Sequence, residues 1–189
     1  MVSPEESSEV NGMTTETAVL GGGCFWCIDS AFRRVRGVTR VESGYAGGSV
    51  ANPTYEAVCT GTTGHAEIVS VDYDPSLISF NDVLDLFFAL HDPTQLNRQG
   101  ADVGTQYRSA IFPTSEEQAE QARAKIEELN ASGTWPDPIV TTIEEADVVY
   151  PAEDYHQDYV PQNPANRYCQ MVVIPKLQKF FQSHGEWLE

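Results

Sequence analysis

The most regular alternation of apolar and polar side chains runs through Ala66-Glu67-Ile68-Val69-Ser70-Val71-Asp72-Tyr73 and predicts a β-strand. Ala66, Ile68, Ser70 and Asp72 share one face, while Glu67 shares the other with Val69, Val71 and Tyr73, so a carboxyl is aimed toward the core. Earlier in the chain, Thr17–Leu20 reads as a short buried strand, and Ile28, Ala31, Phe32 and Val35 recur at near-helical spacing up to a stop near Gly37. Val38 to Tyr45 alternates as a strand, Gly47-Gly48 and Asn52-Pro53 mark a loop, and Thr54–Cys59 is a short helix or turn. Ser79 caps a helix with Val83, Leu84, Phe87 and Phe88 on one stripe, ending near His91-Asp92-Pro93.

After a polar loop from Thr94 to Gln106, Tyr107–Phe112 reads as a strand, and Thr114 with Glu117 forms a capping box for a helix carrying Ala119, Ala122, Ile126 and Leu129. Gly133 stops it. Ile139–Val149 is rich in β-formers, Pro151–Tyr159 is irregular or briefly helical, and Pro175–Phe181 is a terminal helix. The order β-α-β-β-α-β predicts an α+β fold, a two-layer α/β plait with a ferredoxin-like core, long functional loops and an extended C-terminal segment. With 189 residues, 41% of them hydrophobic, a single catalytic domain over residues 16–189 is expected. Residues 1–15, rich in Ser, Glu and Thr, are expected to be a disordered leader.

A formal charge of −17 argues against nucleic acid and anionic membranes as partners, because both reward clustered Lys and Arg. No apolar run reaches 18 residues and the N-terminus is acidic where a signal peptide would be basic, so a soluble, cytoplasmic protein is expected. Only Lys125, Lys176 and Lys179 are lysines. Such a surface resembles that of salt-adapted proteins, and an acidic mesophilic surface is the alternative. Arg33, Arg34, Arg36 and Arg40 cluster at the end of the first helix, where cations complement the dipole.

Candidate chemistry concentrates in Gly21-Gly22-Gly23-Cys24-Phe25-Trp26-Cys27, where a glycine turn meets a helix start. A thiolate there faces free backbone N–H groups and the positive end of the dipole, settings that bring a thiol from a pKa of about 8.5 to roughly 3.5–7.5. Cys24 therefore reads as a nucleophile. The competing reading is a structural CxxC, either a metal half-site or a packed pair of thiols. Cys24, Cys27, Cys59 and Cys169 lack the second CxxC or paired histidines of a zinc site, which leaves redox or nucleophilic use and no metal.

Seven stretches in series carry a resemblance: Gly22–Trp26, Gly44–Gly48, Asn52-Pro53-Thr54-Tyr55-Glu56-Ala57-Val58-Cys59, Gly64-His65-Ala66-Glu67, His91-Asp92-Pro93-Thr94, Asp102–Ser109 and Ala152-Glu153-Asp154-Tyr155-His156-Gln157. From about residue 17 to about residue 182 the chain resembles the class A peptide methionine sulfoxide reductases. The resemblance implies reduction of methionine S-sulfoxide, free or in proteins, with thioredoxin or another dithiol as external reductant and no bound cofactor. By the same resemblance, Cys24 attacks the sulfoxide sulfur and Glu67 is the acid, kept protonated by burial. Tyr45 and Tyr107 donate to the departing oxygen, Asp102 assists through a water or by orienting neighbours, and Phe25 and Trp26 wall the substrate methyl group.

Many members of that family have glycine where this chain has Cys27 and keep resolving cysteines in a glycine-rich tail. Here the chain continues Cys169-Gln170-Met171-Val172-Val173-Ile174-Pro175, so Cys27 is the first choice to resolve a Cys24 sulfenic acid and Cys169 serves as resolver or relay. A monomer is expected.

Each assignment has a plainer competitor. Glu67 competes with a water-facing strand charge, Tyr45 and Tyr107 with buried strand aromatics, Phe25 and Trp26 with core residues, and Asp102 with an Asx turn. His65, His91 and His156 read as hydrogen-bonders in loops, and Cys59 as an inert buried thiol. The rival enzyme is a thioredoxin-like disulfide oxidoreductase using Cys24 and Cys27, which leaves Gly64–Glu67 and Thr105–Arg108 unexplained. The rival without catalysis is a metal-binding or methionine-recognising module.

Overall fold

The structure is a computed structural model that describes residues 8–10, 13–146 and 148–189. Its strands are β1 (Ser8–Val10), β2 (Met13–Gly21), β3 (Val38–Ala46), β4 (Ala66–Tyr73), β5 (Arg98–Gln99), β6 (Asp102–Val103), β7 (Ala110–Phe112), β8 (Thr142–Ile143) and β9 (Tyr150–Pro151). The α-helices are α1 (Phe25–Phe32), α2 (Tyr55–Cys59), α3 (Phe80–Ala89), α4 (Glu116–Ser132), α5 (Tyr159–Gln162) and α6 (Ile174–Ser183). The class is mixed α/β: helices lie against a central sheet whose strand order is β8-β7-β2-β4-β3-β9, with β1 paired to β2. Among the described residues, β7 and β8 alone pair in parallel and the other pairings are antiparallel.

The alternation in β4 positions the chemistry. Val69, Val71 and Tyr73 join Ala18 and Leu20 of β2 and residues of α1, α3 and α6 in the main core, whereas Ala66 and Ile68 pack with Val19, Ala46, Ala110 and Phe112 on the opposite face. Glu67 is on the helix side and 1% exposed, which excludes a strand charge facing water. β4 is inserted between β2 and β3, with Ala18 opposite Val71 and Tyr45 opposite Glu67. Phe32, Leu84 and Phe87 are fully or almost fully buried beneath it, each contributing about 1.5–3 kcal/mol by leaving water.

Several boundaries differ from those expected. α1 ends at Phe32 rather than near Gly37, because the Arg36 N–H bonds the Trp187 carbonyl at 2.7 Å and the Glu189 N–H bonds that of Arg34 at 2.9 Å. The arginines there hold the C-terminus in place: Arg34 lies 4.3 Å from the Phe181 ring centre and Arg36 donates to the Glu186 carbonyl at 2.6 Å. Ser115, not Thr114, caps α4 by accepting from the Gln118 N–H at 3.1 Å, while Thr114 is turned to the Thr17 carbonyl. Tyr107 ends a 3₁₀ turn, Thr105–Tyr107, so β7 starts only at Ala110. Among the described residues of Ile139–Val149, only Thr142–Ile143 is strand.

Within the expected leader, Ser8–Val10 pairs antiparallel with Met13–Thr15; residues 1–7, 11 and 12 lie outside the described residues. No described helix is long and apolar enough to cross a membrane.

Candidate active site

The turn from β2 into α1 is built from glycines for steric reasons. Gly23 has φ +84°, and a Cβ on it would stand 2.8 Å from the Gln99 side chain; one on Gly22 would meet the His91 ring at 3.0 Å. The tight turn leaves Cys24 as the N-cap of α1, half-buried, with extended backbone. The N–H at the helix start, on Phe25, donates to Glu67 Oε1 at 3.1 Å. Glu67 Oε2 is buried without a hydrogen-bond partner. Burial pushes the Glu67 carboxyl up to about 8; the Phe25 N–H opposes this and the Asp102 charge adds to it. At neutral pH the carboxyl is therefore protonated, and its free oxygen is where the proton resides.

The thiol does not have the low pKa expected at a helix start. Burial, followed by the Glu67 charge, holds the Cys24 thiol well above the ordinary cysteine value, and the Trp26 N–H only partly offsets them. Desolvation by the surrounding aromatic residues outweighs the dipole of an eight-residue helix. In the substrate-free site, cysteine and acid are both protonated.

Tyr107 and Asp102 come to this pair from the segment before β7. The Tyr107 phenol is half-buried and held above its usual range by burial and then by Glu67, with Cys59, Asp102 and Cys24 adding to this. Asp102 accepts a short hydrogen bond from the Tyr168 hydroxyl, which also faces Cys24.

Tyr45 is placed differently. It is fully buried and its hydroxyl donates to Glu153 Oε1 at 2.8 Å, so its donor is already committed. A second half-buried phenol that faces Glu67, beside Tyr107, is Tyr55, the first residue of α2, whose hydroxyl donates to the Cys59 sulfur, a weaker acceptor than the carboxylate that holds Tyr45. Tyr55 was not singled out from the sequence; its place at the start of a short helix after Asn52-Pro53-Thr54 was the available signal. Cys59 is half-buried rather than buried.

Phe25 has no exposed surface; it packs against Tyr45 at 5.7 Å, His156 at 5.2 Å and, stacked, Tyr55 at 6.4 Å between ring centres. Trp26 is half-buried, stacks on Tyr159 at 3.8 Å and donates from Nε1 to His156 Nδ1 at 3.0 Å. His156 is thus a hydrogen-bonder, as is His91, which bonds the Phe87 carbonyl and Ser109. Desolvation drives His91 down to about 4, so it is neutral.

Cys27 and Cys169 are buried and all four thiols are free. Cys27 lies within the first turn of α1, and its N–H reaches the Cys24 carbonyl at 3.4 Å. Burial raises its thiol, and the Lys176 charge from α6 opposes that. Cys169 begins a π-helical turn, Cys169–Val173, directly after Tyr168. Among the described residues, no three His, Cys, Asp or Glu side chains are grouped as metal ligands would be.

A cysteine at a helix start, bracketed by a carboxyl that burial raises and by several phenols, can act as a nucleophile supplied with its own acid. Residues 16–187 match the family described as peptide methionine sulfoxide reductase, and the chain belongs to that family. It is 54% identical over 175 residues to the peptide methionine sulfoxide reductase MsrA of Polynucleobacter asymbioticus, covering 93% of this chain and 92% of the relative. The methionine sulfoxide reductase A of Corynebacterium diphtheriae superimposes with a TM-score of 0.72 at 42% identity, covering 80% of this chain and 76% of the other. Reduced Mxr1 from Saccharomyces cerevisiae gives 0.75 at 34% identity, over 87% of this chain and 94% of Mxr1. Mxr1 in complex with Trx2 gives 0.53 at 25%, over 82% of this chain and 91% of that one. The thioredoxin-like oxidoreductase is not favoured.

Proposed function

We propose that this protein reduces methionine S-sulfoxide, free or within proteins, to methionine, and that thioredoxin or a similar dithiol restores it. The observation that carries the reading is the buried, unpartnered Oε2 of Glu67 beside the Cys24 helix start, on a carboxyl that burial pushes up to about 8. A sulfoxide entering there offers an electrophilic sulfur to Cys24 and a basic oxygen to the carboxylic acid. Cys24 sulfur bonds to substrate sulfur while Glu67 protonates the oxygen, and Tyr107 and Tyr55 donate to that oxygen as it gains charge. Tyr55 takes the part that the sequence suggested for Tyr45. The oxygen then leaves with the cysteine as sulfenic acid, methionine departs, and the thiol proton replaces the one Glu67 gave. Asp102 orients Tyr168 beside Cys24, and Trp26, backed by the buried Phe25, forms the apolar side for the methyl group.

Attack by Cys27 on the sulfenic acid forms the Cys24–Cys27 disulfide and releases water, with Cys169 as relay to the external dithiol. Its place in the same helical turn supports Cys27. The Mxr1–Trx2 complex supports thioredoxin as the dithiol, and no bound cofactor enters the cycle.

Residues 16–189 act as one catalytic domain in this reading. The α+β plait of ferredoxin-like kind is supported by strand order β7-β2-β4-β3, in which β4 separates two parallel strands joined through α1. A monomer in the cytoplasm is the working state; four free thiols suit a reducing compartment, and the net charge of −17 disfavours nucleic acid and anionic membranes.

Separated S and R epimers of a methionine sulfoxide peptide, with dithiothreitol as reductant, test the activity. Consumption of the S epimer alone by the native protein, and of neither by Cys24→Ser, is expected; equal turnover of both epimers, or activity in Cys24→Ser, overturns the proposal. Thiol titration after one turnover should find two thiols lost in the native protein and no Cys24 disulfide at the native rate in Cys27→Ser.

A further inference from the structure

The motif Ala152-Glu153-Asp154-Tyr155-His156-Gln157 lies far along the chain from Cys24, and its side chains reach back to the elements around the site. His156 accepts from Trp26, and Gln157 brackets Ser43 in β3, accepting its N–H at 2.8 Å and donating to its carbonyl at 2.9 Å. Glu153 makes the most consequential pair of contacts. Its Oε1 accepts from the Tyr45 hydroxyl at 2.8 Å and its Oε2 accepts the backbone N–H of Tyr55 at 3.0 Å. α2 has only five residues, and its own N-cap, Thr54, serves the Ala57 N–H, so the Tyr55 N–H needs an outside acceptor. β3 is a central strand, with Tyr45 opposite Glu67. The carboxylate therefore ties a short, independently weak helix to the strand beside the catalytic acid.

We infer that Glu153 is a positioning residue for catalysis: by holding the Tyr55 backbone to the Tyr45 hydroxyl, it fixes the Tyr55 phenol toward Glu67 and against the Phe25 ring that follows Cys24. Tyr55 stacks on Phe25, which follows Cys24 directly, so a rotation of α2 would move the phenol relative to the sulfur as well as to the acid. The inference rests on the reading of Tyr55 as a donor to the departing oxygen.

A double-mutant cycle tests it, with kcat and KM for the S-sulfoxide of a model peptide measured in Glu153→Ala, Tyr55→Phe and the double variant. Tyr55→Phe should lower kcat about 10²-fold by removing a transition-state donor. Glu153→Ala should lower kcat roughly tenfold with KM nearly unchanged, as a misplaced group does. The double variant should match Tyr55→Phe alone, because a residue acting through Tyr55 has nothing left to position. Glu153→Gln should recover most of the activity, since its amide oxygen accepts the Tyr55 N–H and its NH₂ can donate to Tyr45. Losses that multiply in the double variant, or a Glu153→Ala protein with native kcat and lowered melting temperature, overturn the role of Glu153 while leaving Tyr55 intact. Native kcat in Tyr55→Phe overturns the role of Tyr55 and this inference with it. If Glu153→Ala does not fold, Glu153→Asp replaces it: the charge remains, but a side chain one carbon shorter does not span both contacts.

Discussion

Glu67 is a carboxyl that folding keeps neutral, and its two oxygens have different duties. Oε1 is held by the Phe25 N–H, while Oε2 has no partner. Because burial raises its pKa to about 8 from an unfolded value near 4.3, the folded state holds an extra proton between those pH values. Stability contributed by this group is greatest below the unfolded value and is lost as pH rises through 8. Glu67→Gln keeps the acceptor for Phe25 but has no acidic proton, so activity should fall about 10²–10⁴-fold. Its melting temperature at pH 9 should nevertheless exceed that of the native protein, a reversal that calorimetry and steady-state assays across pH 5–9 would check. The native alkaline activity limb should follow the same group, with an apparent midpoint near 8.

Glu67 was legible because a two-residue period states which face a side chain takes, whereas Tyr45 and Tyr55 were not separable in that way. What distinguishes them is Glu153, which lies 108 residues from Tyr45 and 98 from Tyr55. Nothing local marks such a partner. The contacts of Trp26 with His156 and of Tyr168 with Asp102 were hidden for the same reason. For the Cys24 thiol the helix dipole acts in the expected direction, but the burial that overrides it depends on distant segments, Tyr107 and Tyr168 among the residues that face the sulfur.

Among the elements, those governed by short-range rules were readable and those governed by distant backbone were not. β4 and α3 were located by alternation and by a cap: Ser79 and Asp82 exchange side-chain and backbone hydrogen bonds as a capping box. At α4 the rule was applied one residue early, because Thr114 and Ser115 are equally good by composition and the Thr17 carbonyl in β2 decides between them. Ser115→Ala should cost about 1 kcal/mol of stability in urea unfolding, by loss of the cap, with activity unchanged. A comparable loss in activity would mean that α4 reaches the site, which its packing on α3 and β8 does not suggest. The end of α1 is beyond local rules altogether, since residues 187–189 capture the backbone of Arg34–Arg36 just after it.

For the whole molecule, charge is the dominant quantity: 28 carboxyl side chains stand against 11 Lys and Arg. Self-repulsion of this size weakens as salt shortens the Debye length from about 10 Å at 0.1 M to about 3 Å at 1 M. Melting temperature and activity should therefore hold or rise as KCl goes from low to molar concentration; a steady fall in both would refute the salt-adapted reading.

The placement of β4 between β2 and β3 ties chemical reactivity to completion of the sheet. Cys24 and Glu67 belong to segments that meet only when the third of these strands slots between the first two, so a half-assembled chain carries an ordinary thiol and an ordinary carboxylate. The burial that holds the Cys24 thiol above its ordinary value therefore arrives only with the closed architecture.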